Sequence, residues 1–428
     1  MVEREDSSSA LHAAHVIETL GPGGAERLLH TNLKHLDAKR VRSTVITVFS
    51  RDDYWAEAIK QLGVQVISLN CGGYRDLIKG IWRLRRWLSD ARPDVLHTHL
   101  WAANVIGRMA GRLSGVPVIS SIHDSDYEPE TWSDGSEVSA WKRYLIRAID
   151  RQSARLGCAR MLAVSDYVRQ SARRHLKFPL QRIDRLYNPV DVNELRSAKP
   201  REALLGELGL PLDSVILLNV GRVKPQKGLL YAIRALPAVK RRQPRVRLIS
   251  TGGIDDGDWA KRLRAEAEAL GVADRVHLLG PRRDVKDFLR ACDLFVFPSL
   301  HEGLGIALIE AMAARCACVA TDTGPLPEVI SHGVDGWLVP PRDHQRLAEA
   351  ICALLSDEGG RAALAAAAQR NAVARFQPLA AASELAAIYE SMARRKTRQA
   401  RGKITPHEMA RNQHAAADSG DAARVGQE

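Results

Sequence analysis

The stretch Leu294-Phe295-Val296-Phe297-Pro298-Ser299-Leu300-His301-Glu302-Gly303-Leu304-Gly305 passes from an apolar run through a polar loop to a pair of glycines, and a helical pattern opens at Ile306. A short apolar run that stops at a glycine loop and resumes with helical periodicity reads as one βα unit of a parallel sheet. The same unit recurs outward from it. Residues 215–220 form an apolar run that ends at Gly221, and residues 245–250, 276–279 and 318–321 read as its neighbours. In the first half, residues 15–20 lead into Gly21-Pro22-Gly23-Gly24 and a helix from Ala25, and residues 41–49, 64–69, 94–98, 116–122 and 160–164 continue the series. The expected fold class is α/β, with two Rossmann-like doubly wound domains facing a central cleft.

The pattern loosens over residues 191–213, which read as an interdomain linker. The expected division is 1–195 as the first Rossmann-like domain, 196–378 as the second, 379–393 as a helix packing back towards the first domain, and 394–428 as a basic tail without fixed structure.

The 428 residues are 45% apolar and 26% charged, a globular composition with length for two cores. Lys and Arg total 62 against 50 Asp and Glu, a net charge of +12, which predicts attraction to an anionic partner. Cys71, Cys158, Cys292, Cys316, Cys318 and Cys352 are too scattered for a disulfide scaffold and read as reduced core residues. Residues 1–10 lack the apolar segment of a signal peptide, and no apolar run reaches bilayer-spanning length. The expectation is a cytoplasmic protein whose membrane contact, if any, is peripheral, on the inner face of the plasma membrane.

Four motifs could carry chemistry. In the opening stretch the glycines admit close backbone approach, and the helix start offers free N–H groups to an anion. Glu302 and Glu310, eight residues apart, can both address the cleft and accept from sugar hydroxyls. They are equally readable as a solvated loop acid and an acid favoured by the helix dipole. Gly221-Arg222-Val223-Lys224-Pro225-Gln226-Lys227-Gly228 places Arg222 and Lys227 on a turn after a strand, where two cations can neutralise a departing diphosphate. The Gly21–Gly24 turn resembles a phosphate-binding turn but lacks the full dinucleotide fingerprint. His97, His99 and His123 stand at carboxyl ends of strands and could face the cleft. Asp124-Ser125-Asp126 has the form of a divalent-metal motif, and Asp255, Asp256 and Asp258 are a second acidic group, but both patterns are common by chance and no metal is assigned.

Taken together, these residues resemble the retaining glycosyltransferases of family 4, which have the GT-B fold. The resemblance rests on Gly-Pro-Gly-Gly-Ala-Glu at 21–26, His-Thr-His at 97–99, Ser-Ile-His-Asp at 121–124, Val-Ser-Asp at 164–166, Tyr-Asn-Pro-Val-Asp at 187–191, the Arg/Lys turn at 221–228, Glu-Gly-Leu-Gly-Ile-Ala-Leu-Ile-Glu at 302–310 and Thr-Asp-Thr-Gly-Pro-Leu-Pro-Glu at 321–328. It implies that Glu310 binds the nucleotide ribose and Glu302 the donor sugar. Arg222 and Lys227 would hold the diphosphate, and His123 would contact the sugar near the reacting carbon. The Gly23–Gly24 turn and the N–H groups of Gly303, Leu304 and Gly305 would approach the donor, with the segment around Leu279 cradling the base. No cofactor and no metal are implied. The implied reaction moves a hexose-type sugar, with retention, from a nucleotide-diphosphate sugar (UDP) to a glycan or lipid-linked acceptor in cell-surface polysaccharide or glycolipid synthesis. Two positions depart from the family pattern. Arg315 stands where glycine usually ends the helix, so that end should be satisfied differently, and Tyr187-Asn188-Pro189 replaces Pro-Asn-Gly.

Leu77, Ile81, Leu84 and Leu88 form a helical stripe with Lys79, Arg83 and Arg86 opposite and Trp82 and Trp87 at the flanks, and residues 142–174 are strongly basic. Basic helices flanked by Trp suit an anionic membrane surface and equally suit an ordinary solvated face. A nucleotide-sugar epimerase of the same fold is the alternative enzyme. A nucleic-acid or anionic-surface binder is the non-enzymatic one, and nucleic acid is not expected because no aromatic-rich binding motif accompanies the charge.

Overall fold

The computed structural model describes residues 10–50, 53–125, 127–128, 139–195, 198–254 and 257–401. Asp126, Asp255, Asp256 and residues 402–428 of the expected tail lie outside them.

Two parallel sheets with helices on their faces form the two halves, the α/β architecture expected. The first comprises β1 (Leu11–Ile17), β2 (Val41–Phe49), β3 (Gln65–Cys71), β4 (Val95–His99), β5 (Val118–Ile122), β6 (Arg160–Ala163) and β7 (Ile183–Arg185), in spatial order β3-β2-β1-β4-β5-β6-β7. The second comprises β8 (Val215–Val220), β9 (Val246–Thr251), β10 (Val276–Leu278), β11 (Leu294–Phe297), β12 (Cys318–Thr321) and β13 (Trp337–Val339), in order β10-β9-β8-β11-β12-β13. Each order reverses direction after its first strand, beside β1 and beside β8. Ligands of such sheets sit beyond the carboxyl ends of strands at that reversal. The glycine turn after β1 and the Arg/Lys turn after β8 stand at these two points.

Several boundaries differ from the sequence reading. β1 starts at Leu11 rather than residue 15, because His12 is accommodated by a 3.0 Å hydrogen bond to Thr44. β7 and β13 are three-residue strands, too short for periodicity to reveal. The connecting segment is not loose throughout: helix Arg201–Glu207 buries Leu204 and Leu205 in a core shared with residues of both halves. The last helix runs from Pro378 to Arg401, past the expected limit at residue 393. Its buried face, with Leu385, Ala386 and Tyr389, packs on Ala13 of β1 and Val95 of β4.

The stripe on helix Leu77–Ala91 faces inward. Leu84 and Leu88 are fully buried against helix Trp101–Ser114, and Trp87 lies against the same core. Ile78 and Trp82 stay exposed on this helix, as Trp141 and Tyr144 do on helix Ala140–Gly157.

Arg315 adopts φ 64°, and Cys316 N–H bonds the Ala311 carbonyl at 2.9 Å. The helix Ile306–Ala313 therefore ends in a left-handed cap after all, carried by a residue with a Cβ.

Candidate functional site

The two halves meet over the carboxyl ends of β1, β4, β5, β8 and β11. A cavity of about 590 Å³ lies there, and its lining includes Gly23, Gly24 and Arg27 from the first half and Arg222, Ile306 and Glu310 from the second. Gly23 ends the glycine turn and Gly24 begins helix Gly24–His35, so the positive end of that helix opens on the cavity. Across the gap, a Cβ on Gly24 would lie 3.7 Å from Ile306 Cδ1. Helix Ile306–Ala313 carries Glu310 on its cavity side. The Glu310 carboxyl is buried and pairs with the Arg27 guanidinium. Burial raises its pKa, Arg27 opposes this, and Glu194 adds to the rise.

A second cavity of about 660 Å³ shares Gly23, Gly24 and Arg222 and extends along the first half past Asn104, His123 and Tyr127. Arg222 thus stands between the two chambers. His123 follows β5, with its Nε2 3.2 Å from His99 Nδ1. Burial pushes the His123 pKa down to about 4, against an opposing pull from Asp124, so the ring is neutral at neutral pH.

Lys227 and Glu302 do not line either cavity. Lys227 Nζ bonds Glu302 Oε1 at 2.7 Å, and Ser299 Oγ donates to the same oxygen at 2.7 Å. Burial raises the Asp124 carboxyl, but a 2.7 Å hydrogen bond and charge from His301, together with the charge of Lys227, outweigh it and hold the pKa low.

The Gly303 loop closes the rear of the site. A Cβ on Gly303 would collide with the His123 carbonyl oxygen. The Gly303 carbonyl accepts from Ser165 Oγ at 2.7 Å. Leu304 is buried in the shared core, and Gly305 caps its helix at φ 91°. Leu279 lies on that same core, its N–H bonded to the Ser250 carbonyl at 3.0 Å, while Pro281, Arg282 and Arg283 form the cavity wall.

His97 does not face the cleft. It is 1% exposed, with Tyr389 Oη 2.6 Å from its Nδ1 and Ser121 Oγ 2.8 Å from its Nε2. His15, His97 and His99 bring one potential ligand atom each within 4.8 Å of one another, all buried. A metal there would have to displace a His97 hydrogen bond and find a path through the core.

Sequence reasoning missed Arg27, whose partner Glu310 is remote in sequence. It also missed Glu328, whose carboxylate accepts from Asp166 N–H at 2.8 Å and Tyr167 N–H at 2.6 Å and so ties the two halves together. A third bridge places the Arg283 guanidinium 5.0 Å from the Tyr54 ring.

Comparison with known proteins fits this architecture. Residues 22–194 match the family model described as Glycosyltransferase Family 4, and residues 200–371 match Glycosyl transferases group 1. The chain belongs to the family 4 glycosyltransferases. It is 31% identical over 366 residues to the D-inositol 3-phosphate glycosyltransferase of Xylanimonas cellulosilytica, covering 78% of this chain and 84% of that one. It is 31% identical over 355 residues to the alpha-D-kanosaminyltransferase of Streptomyces kanamyceticus, covering 78% and 88%. Anabaena HepE, solved in complex with UDP-glucose, superposes with a TM-score of 0.77 at 23% identity over 89% of this chain and all of that one, which shows the shared GT-B fold. This family member is accordingly a glycosyltransferase.

Proposed function

We propose that this glycosyltransferase moves a hexose-type sugar from a UDP-linked donor, with retention and without a metal, to a glycan or lipid-linked acceptor in cell-surface polysaccharide or glycolipid synthesis. The carrying observation is the single cleft in which Arg222 and Glu310 of one half meet the Gly23–Gly24 turn and His123 of the other. In this reading the nucleoside occupies the 590 Å³ chamber, with its ribose on Glu310. The diphosphate lies at Arg222 and the N-terminus of helix Gly24–His35. The sugar points to the second chamber.

Lys227 joins the site by exchanging Glu302 for the diphosphate. Glu302 is thereby released to accept from sugar hydroxyls, with Ser299 still holding one oxygen. As the bond between anomeric carbon and phosphate breaks, the growing charge falls on Arg222, on Lys227 once it has left Glu302, and on the helix terminus, whose N–H groups are fixed in advance. The departing phosphate takes the proton of the acceptor hydroxyl, which attacks from the same face. A neutral His123 can hydrogen-bond the sugar without adding charge beside the developing oxocarbenium ion.

Two features support this donor and acceptor class. Solved neighbours of the same fold carry UDP and UDP-glucose. Exposed Ile78, Trp82, Trp141 and Tyr144 lie on two basic helices packed against helix Trp101–Ser114, a surface suited to peripheral contact with an anionic bilayer. No helix among the described residues is long and apolar enough to cross a membrane. The test is a thermal-shift panel of nucleotide sugars followed by product analysis. UDP-sugars should raise the melting temperature, and transfer should persist in EDTA. A panel without any response, or abolition of transfer by EDTA, refutes the corresponding part.

A further inference from the structure

The first half contributes Arg27 to the nucleotide chamber. It lies one turn into helix Gly24–His35, immediately after the glycine turn, and it crosses the cleft to pair with Glu310. The geometry is asymmetric: the Glu310 side chain is 7% exposed, whereas Arg27 is 42% exposed and its second nitrogen reaches Glu194 only at 3.8 Å. An acid removed from water to this degree needs a counter-charge to remain ionised. The diol of a ribose needs it ionised, because a carboxylate accepts through both oxygens whereas a carboxylic acid gives up part of that capacity to its proton.

We propose that Arg27 is a positioning residue of the nucleotide site, supplying across the domain gap the counter-charge that keeps Glu310 a ribose-accepting carboxylate. The proposal rests on the reading of Glu310 as the ribose acceptor. It makes donor recognition a property of both halves: the carboxylate is competent only when the cleft is closed enough for Arg27 to reach it.

The other charged groups lining the chamber are Asp191 and Glu194 from the connecting segment, Arg222 after β8, and Arg282 and Arg283 after β10. Asp191 is held by Lys34 at 2.9 Å and Arg282 by Asp284 at 2.6 Å, so these charges already have partners. Glu194 works against ionisation of Glu310, which increases the demand on Arg27.

The first experiment needs no ligand. Thermal unfolding is followed from about pH 5 to about pH 8 in the wild type, Arg27→Met, Arg27→Lys and the double variant Arg27→Met/Glu310→Gln. A carboxyl with a raised folded pKa binds protons more readily folded than unfolded, so it makes stability fall as pH rises between the unfolded and folded values. Arg27→Met widens that window upward. Measured against the wild type at each pH, which cancels the titration common to both, its melting temperature should therefore lose ground as pH rises. Arg27→Lys should restore the wild-type slope, and the double variant, which lacks the carboxyl, should lose the added slope. Parallel slopes for wild type and Arg27→Met overturn the proposal, as does a steep slope that survives in the double variant.

In the second arm, UDP-glucose is titrated calorimetrically into wild type, Arg27→Met and Glu310→Gln at the two ends of the range. Arg27→Met should lose affinity at the acidic end relative to the alkaline end, whereas the wild type holds its affinity across the range. Equal affinity of Glu310→Gln and wild type refutes the ribose reading and the proposal with it. Weakened Glu310→Gln beside a pH-independent Arg27→Met refutes the proposal alone.

Discussion

Gly303, in the loop after β11, lies directly against the carbonyl oxygen of His123, in the loop after β5, with no room for a methyl group between them. Since the loops come from opposite halves, this contact sets how closely the cleft can shut. Gly303→Ala should keep each half folded and hold the halves apart. We expect kcat/KM to fall by about a hundredfold, as misplacement by about 1 Å can cost, with little change in melting temperature. Steady-state kinetics alongside thermal unfolding check this.

Arg222→Ala and Lys227→Ala should each lower turnover by about 10²–10³-fold, the usual cost of removing one fixed partner of transition-state charge. Lys227→Ala carries a second expected consequence. Lys227 leaves its 2.7 Å ion pair with Glu302 for the diphosphate, so this variant should also weaken donor binding by removing that contact. Separate measurement of kcat and KM distinguishes the two effects.

The buried histidines predict acid sensitivity. Burial pushes the His15 pKa down to about 3 and the His123 pKa down to about 4, and lowers His97 and His99 well below the ordinary value. An unfolded histidine takes a proton near pH 6.5, while these folded ones do not. Stability should therefore be level above that pH and fall as pH drops below it, by about 1.4 kcal/mol per pH unit for each histidine that remains neutral. His15→Phe should flatten the decline, as read from melting temperature against pH. An unchanged slope would contradict the assignment.

Arg315→Gly should stabilise the protein. A left-handed residue with a Cβ costs roughly 1–2 kcal/mol, of which glycine returns part through its greater freedom when unfolded. The net expectation is a gain of about 0.5–1 kcal/mol, visible in chemical denaturation, with activity unchanged.

The βα units around residues 221 and 305 were legible because glycine punctuation and apolar strands carry local signals. Other features depended on contacts between distant residues. Arg27 looks like any cation on the polar side of an amphipathic helix until Glu310, in the other half, is brought to it. In the sequence His97 reads as the end of a strand, as His123 does, yet it lies inside β4 opposite Ile119, and Tyr389 from the last helix covers it. The stripe at Leu84 and Leu88 has the periodicity of a membrane-binding helix and of a packed one alike, and only its neighbour, helix Trp101–Ser114, decides between them. Beyond Met392 composition turns basic, but Arg394 reaches Glu390 one turn back at 3.4 Å, and the helix continues.

The most direct measurement is calorimetric titration of UDP into the wild type, Glu310→Ala and Arg222→Ala. The account predicts saturable binding with one site per chain that weakens sharply in both variants. Wild-type binding left intact by both substitutions would contradict it.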